Sequence, residues 1–280
     1  MSSAGLYAEI YAELASEKSL FPSLPESTLR LRQVLADPNC NIKSAAKLIA
    51  TNPGLSAFIM KTAGSVRFLT RRPPKDIETA VKRIGLHGCS QLATTFAVRS
   101  LFKATTPELK HLMQQAYRNA TRVSVISHYL ALQIRGFRPN KAMLGGLLQD
   151  IALPLVLKAL SNRPQMINDV QQRNQAIAKL CPLVGVQILK QWNFDKELVE
   201  VVRSRQQWLR DEQRKPDLAD LVLIARYHAL IGTPEFQSCP PLSELPAFRK
   251  LPLGKLTPEK SLEMLAEAQN ELEELARILT

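Results

Sequence analysis

Gln149 and Asp150 stand side by side in GGLLQDIALPLV, residues 145 to 156, a stretch otherwise apolar enough to read as one face of a buried helix. Burying a carboxylate costs several kcal/mol unless a partner meets it, so the pair needs either a counter-charge or a chemical task. Other reactive groups are sparse. His87, His111, His128 and His228 are scattered with no His-x-x-x-His or similar ligand spacing, and His128 reads as an ordinary helix-surface or interhelical residue. Cys40, Cys89, Cys181 and Cys239 lie far apart, form no Cys-x-x-Cys, and read as reduced, mostly buried thiols. Cys181, beside Pro182, has no evident histidine base and reads as a core residue. No Gly-x-x-x-x-Gly-Lys-Ser/Thr loop and no Gly-x-Ser-x-Gly elbow occurs, so ATP hydrolysis and serine-hydrolase chemistry have no support.

Helices must position these groups. The alternation of a half-buried strand is hard to find, whereas apolar residues recur at spacings of three and four almost throughout, which predicts an all-α protein without significant β-sheet. Leu6, Ile10 and Leu14 make one stripe, FPSLPE breaks it, and Leu31, Val34 and Leu35 begin another. Asn41 is placed to cap one helix, and Asn52 with Pro53 to start the next, which ends near Gly64. A turn at Gly85 to Gly88 separates two more, and longer helices follow over 109 to 135 and 140 to 160. PLVGVQILKQW, DKELVEVVRSRQQWL and DLADLVLIARYHALIG each predict a further helix. The proline-rich stretch 233 to 256 reads as a loop. A last helix carries Leu262, Leu265, Leu272 and Leu279 and is expected to pack on the body rather than form a coiled coil.

The chain has 280 residues, 45% of them hydrophobic, enough for a substantial core in one large domain or two small ones. Its net charge of +12 suits anionic partners. That charge is uneven: residues 61 to 103 hold nine Lys and Arg against two acids, and residues 257 to 280 two against six. Arg67, Arg71, Arg72, Lys75, Lys82 and Arg83 form the basic flank, readable as solvated surface or as a phosphate-binding interaction face. DIETAVKRIGLHGCSQLATTFAVRS resembles a helix-turn-helix, but its second helix is apolar where base-reading Arg, Asn or Gln would be needed. The N-terminal stretch is not a secretory signal, and no run reaches the ~18 apolar residues of a membrane span. A cytoplasmic protein without membrane insertion is expected.

The order of segments FPSLPESTLRLRQVLADPNCNIKSAAKLIATNPGLSAFIMKTAGS, IETAVKRIGLHGCSQL, GGLLQDIALPLV and CPLVGVQILKQWNF resembles the HDOD family, non-catalytic relatives of HD-type metal-dependent phosphohydrolases, over about residues 20 to 210. In those hydrolases a His-Asp pair at the place of Gln149 and Asp150 binds a divalent metal with further His and Asp residues, and the metal makes a nucleophile of water. The resemblance places the other ligand positions at Asn119 in QAYRNATRVS, Cys181 in KLCPLVG, Arg205 and Gln206 in VVRSRQQW, and Arg226 in LIARYH. Only Asp150 keeps an expected ligand chemistry there, and two arginines would repel a divalent cation. The centre is therefore expected to be degenerate and to hold no metal or other cofactor. Arg205 or Arg226 is expected to pair with Asp150, and Gln149 with Asn119 to exchange hydrogen bonds.

The resemblance implies an N-terminal helical lobe, residues 1 to 112, and a degenerate HD-like bundle, 113 to 280, as one cooperative unit. It also implies a bacterial regulatory role carried out through a protein partner in a signalling pathway. The length leaves no room for an added signalling domain, so a stand-alone adaptor is expected. The basic flank and the acidic last helix are candidate contact surfaces and would also permit self-association. Two alternatives stay open: a residual metal-dependent phosphohydrolase, and a regulator that binds nucleotide or nucleic acid. For the second, a basic pocket lined by Arg118, Arg203 or Arg205 is the candidate anion site, with a nucleotide such as a cyclic dinucleotide as ligand.

Overall fold

The computed structural model describes residues 3–16, 26–37, 40–64, 73–102 and 106–251, with Glu263 and Ala266. Among these residues there are helices and no strand. Helix α1 (Ser3–Ser16) is followed by α2 (Glu26–Ala36), α3 (Ile42–Ala50), α4 (Pro53–Ala63), α5 (Ile77–Ile84) and α6 (Leu86–Leu101). Then come α7 (Pro107–Gln133), α8 (Pro139–Leu148), α9 (Leu153–Ser161), α10 (Pro164–Asn168), α11 (Val170–Gln191), α12 (Lys196–Arg203), α13 (Leu218–Leu230) and α14 (Pro246–Lys250). The stretch predicted as a proline-rich loop holds α14 and two short 3-10 helices, Pro234–Ser238 and Leu242–Glu244. FPSLPE up to Pro25 and the last leucine-bearing helix, apart from Glu263 and Ala266, lie outside the described residues.

Helices α2 to α6 make one compact unit. Its caps are those the side chains dictate: Asn41 accepts the Ser44 amide at 2.9 Å, Asn52 the Leu55 amide at 3.0 Å, and Asp76 the Thr79 amide at 2.7 Å. Leu31, Ile49, Leu55, Ile59, Val81 and Cys89 are buried together at its centre. The turn between α5 and α6 is shorter than predicted, because Gly85 alone, at φ 80°, reverses the chain and Gly88 is already helical. Most of α6 is buried, from Cys89 through Val98, which agrees with its apolar sequence and leaves no base-reading face.

Helices α1 and α7 to α14 make the second compact unit. The predicted boundary at 112 falls inside the unbroken 27-residue α7, so the division lies instead at residues 101 and 102. Helix α1 also belongs with the second unit: Ile10 and Leu14 are buried where α1 meets α9 and α11, and Glu13 pairs with Arg163 at 2.7 Å. Within this unit α7 and α8 pack closely because Gly146 has no side chain. A Cβ there would lie 2.6 Å from the Cα of Ser124, a backbone atom that cannot move aside. The Ser124 hydroxyl then donates to the Met143 carbonyl at 2.6 Å, tying the two helices together. The segment 139 to 161 is apolar enough in composition to pass for a membrane span, but it is mostly buried and its helix is interrupted.

Candidate functional site

Pro154 creates the interruption that presents Asp150. A continuous helix would have residue 154 donate its amide to the Asp150 carbonyl, and proline has none to give. The carbonyl takes the Leu153 amide instead, at 2.9 Å, and Gln149 to Ala152 form turns between α8 and α9. The one long helix predicted over 140 to 160 is therefore two, with Asp150 at the joint.

Two arginines converge on it. Arg205 lies in the turn after α12, where Ser204 closes the helix and hydrogen-bonds Glu200 at 2.5 Å, and Arg226 comes from α13, a helix buried along its whole length. Arg205 Nη2 donates to Asp150 Oδ1, and Arg226 Nη1 to Asp150 Oδ2 at 2.9 Å. The side chains are 4% (Asp150), 2% (Arg205) and 8% (Arg226) exposed, so water contributes little to their solvation. Each carboxylate oxygen thus carries its own guanidinium, where the sequence led us to expect one arginine or the other.

Burial by itself would raise the Asp150 carboxyl, but the two guanidiniums outweigh it and hold the group below the usual carboxylate range. Burial opposes the charge on Arg205, yet Asp150 holds its guanidinium above the ordinary value. Arg226 falls below its own, through burial and the positive charge of Arg205 beside it. The cluster carries two cations on one anion. Arg205 Nε and Nη1 and Arg226 Nε make no hydrogen bond among the described residues. Nor does either polar atom of the Gln149 side chain, so the expected exchange with Asn119 is not formed; the Gln149 backbone is still helical, its amide donating to the Gly145 carbonyl at 3.0 Å.

A cavity of about 830 Å³ opens beside the cluster. Asp150, Arg205 and Arg226 reach its wall, joined by Asn119 of α7 and by Gln206 and Trp208 after α12. Helix α11 adds Gln171, Asn174 and Gln175, and the first 3-10 helix adds Glu235. Five of the seven positions that the resemblance assigns to a former metal centre therefore share one cavity. Of the other two, Gln149 adjoins Asp150 in sequence, and Cys181 is fully buried, its thiol pushed up to about 12 by burial. His128 is buried on α7 and does not line the cavity.

The other candidates do not assemble as expected. Arg118 is exposed on α7, and Arg203 pairs with Glu200 at 2.8 Å and lines a different cavity of about 560 Å³, so Arg118, Arg203 and Arg205 do not share a pocket. Successive residues of α12 and its turn face different ways, which separates Arg203 from Arg205. Of the basic flank, Arg67, Arg71 and Arg72 lie outside the described residues. Lys75 is exposed, Lys82 pairs with Glu78 at 2.9 Å, and Arg83 donates to the Ala63 carbonyl at the end of α4. Sequence reasoning missed Trp208 and the amides of α11; the run QQRNQ at the start of that helix was the available signal.

A divalent ion needs several N, O or S donors converging within ~2.0–2.6 Å. Here both oxygens of Asp150 are taken by guanidiniums, Cys181 stays protonated, and no histidine lines the cavity. Among the described residues no group of three or more His, Cys, Asp or Glu is placed to hold a metal. These residues do not fit the metal of an HD hydrolase.

Fold and site together define an all-helical protein of the HD-like class with arginines at its centre. The HDOD domain model matches residues 21–208, and the chain belongs to the HDOD family. An uncharacterised protein of Treponema pallidum is 24% identical over 213 residues, 70% of this chain and 39% of its own length, so the chain spans well under half of that relative. Among solved structures, a Shewanella amazonensis protein whose name proposes a metal-dependent phosphohydrolase superposes with a TM-score of 0.80 at 24% identity, covering 99% of each chain. A Marinobacter aquaeolei protein whose name proposes signal transduction gives 0.63 at 18% identity, covering 92% of this chain and 59% of that one. At these identities both likenesses show the fold alone.

Proposed function

We propose that this HDOD protein is a regulatory module of bacterial signal transduction that acts through contacts with a protein partner and has no phosphohydrolase activity. One observation carries the reading: the carboxylate of the former metal position has each oxygen bound to a buried arginine. A metal would have to displace a guanidinium and then sit beside its positive charge, which Coulomb repulsion in a poorly hydrated site opposes. The name of the Marinobacter relative supports a signalling role, and the basic flank and acidic C-terminal segment are the surfaces we assign to partners or to self-association. The free thiols of Cys40, Cys89, Cys181 and Cys239 support a reducing, cytoplasmic setting.

Hydrolysis of bis(p-nitrophenyl) phosphate and p-nitrophenyl phosphate, assayed with added Mn²⁺, Mg²⁺ and Zn²⁺, tests the reading. The expected rate equals that of Asp150→Ala with each metal. Metal-dependent turnover that disappears in Asp150→Ala would overturn it.

A further inference from the structure

The Asp150 cluster is not balanced. Two guanidiniums share one carboxylate, three of their nitrogens make no hydrogen bond among the described residues and lie buried beneath the surface, and all three side chains reach the wall of the 830 Å³ cavity. A surplus positive charge held where water is excluded attracts an anion more strongly than the same charge at the surface. A guanidinium matches the oxygens of a phosphate in shape as well as charge, and a phosphate monoester brings three acceptor oxygens.

The rest of the wall selects the body attached to that anion. Trp208 is half-buried, its ring set edge-on to Tyr227 with centroids 6.0 Å apart. Asn119, Gln206, Asn174 and Gln175 supply amides able both to donate and to accept hydrogen bonds. An aromatic surface with amides around it suits a planar, hydrogen-bonding ring, and the volume falls within the ~300–1,000 Å³ of small-ligand sites. Glu235, at the exposed rim, carries the one further charge among the lining residues, and that charge reaches both Arg205 and Arg226, so it offsets part of their surplus.

We propose that this cavity is a binding site for a nucleoside monophosphate or a phosphate ester of like shape, its phosphate held toward Arg205 and Arg226 and its base against Trp208. The site rests on the reading of the centre as metal-free, and it would make the module responsive to a small metabolite. AMP is the probe, with adenosine and inorganic phosphate as its two halves, in isothermal titration and thermal unfolding of the full chain with EDTA present. AMP is expected to bind and to raise the unfolding temperature, and adenosine to bind at least about tenfold more weakly.

Arg205 supports the core, so the test begins at an exposed residue. Gln206→Glu adds a negative charge at an exposed position and is expected to weaken AMP about tenfold with the unliganded unfolding temperature unchanged. Arg203→Ala, facing the other cavity, is expected to leave AMP binding intact. Absence of AMP binding at millimolar concentration, or binding indifferent to both Gln206→Glu and Trp208→Ala, would overturn the site while leaving the metal-free reading in place. AMP binding that appears only with added Mn²⁺ and vanishes in EDTA would overturn both.

Discussion

The Asp150 cluster and a second ionic cluster around Arg210 both take charge out of water within the unit formed by α1 and α7 to α14, and they are built differently. Arg210 Nη1 meets Asp217 at 2.8 Å and Asp220 at 2.6 Å, its Nη2 meets Asp217 at 3.0 Å, and Lys250 adds a second cation 3.1 Å from Asp220. Two further carboxylates stand farther out, Glu200 at 3.9 Å from Arg210 and the exposed Asp211 at 3.6 Å from Lys250, so no cation here is left without a counter-charge. The two nearer carboxylates also cap α13, since Asp217 accepts the Asp220 amide at 2.8 Å and Asp220 the Asp217 amide at 3.1 Å. That cluster fastens α13 and α14 to the turn before them, and its cations are matched by carboxylates, although Arg210 Nε, like nitrogens of the Asp150 cluster, makes no hydrogen bond among the described residues. The Asp150 cluster fastens three segments as well, but sets two guanidiniums on one carboxylate and borders a cavity. The two clusters differ in charge balance, and the binding site proposed above rests on that difference.

Asp150→Ala gives the largest expected effect, because it strands two buried guanidiniums with no counter-charge. It should destabilise the protein by about 4 kcal/mol in denaturant titration, the size seen when one member of a buried ion pair is removed. Replacing all three members together, by Asp150→Leu, Arg205→Met and Arg226→Met, should restore most of the loss. A small loss in the single variant would remove the distinction between the clusters.

Acid should unsettle the unit in two stages. Burial, with Arg122 nearby, brings His228 down to about 4, so between that value and the ordinary pKa near 6.5 the unfolded chain binds the proton and the folded one does not. Stability is expected to be full above pH ~6.5 and to fall by roughly 3 kcal/mol as the pH drops to about 4. His228→Gln should flatten that slope. The depressed carboxyls of Asp150 and Asp217, one in each cluster, act lower: their contribution persists above the unfolded carboxyl pKa near ~3.9 and is lost as the pH falls through the folded value.

Arg210→Met should cost about 2 kcal/mol by the same titration, less than Asp150→Ala, because Lys250 still pairs with Asp220 and Asp217 is partly exposed to water. A larger loss here than at Asp150 would invert the comparison. The smallest effect is chemical: Cys181, fully buried against the Asp150 cluster, should resist a thiol reagent in the native protein while the half-exposed Cys40 and Cys239 react.

The sequence carried the Asp150 cluster further than the Arg210 cluster, for a physical reason. A carboxylate inside an apolar helix demands a cation, and the HDOD resemblance points to Arg205 and Arg226 as the candidates. Asp217-x-x-Asp220 is legible as a capping box, but capping carboxylates are ordinarily solvated, and nothing in their spacing brings Arg210 or Lys250 to them. The caps at Asn41, Asn52 and Asp76 act over three residues and were readable for that reason. The membership of α1 was not, since an apolar stripe of Ile10 and Leu14 states that a surface must cover it without saying which. Pro154 was visible, yet its consequence, a break that leaves Asp150 at the joint of two helices, depends on how α9 resumes.

Metal analysis of the purified protein, with Asp150→Ala as control, tests most directly whether arginines have taken the place of a metal. The account expects Mn, Fe, Zn and Mg each far below stoichiometric and unchanged in the variant. About one tightly held ion per chain, lost in Asp150→Ala, would contradict it.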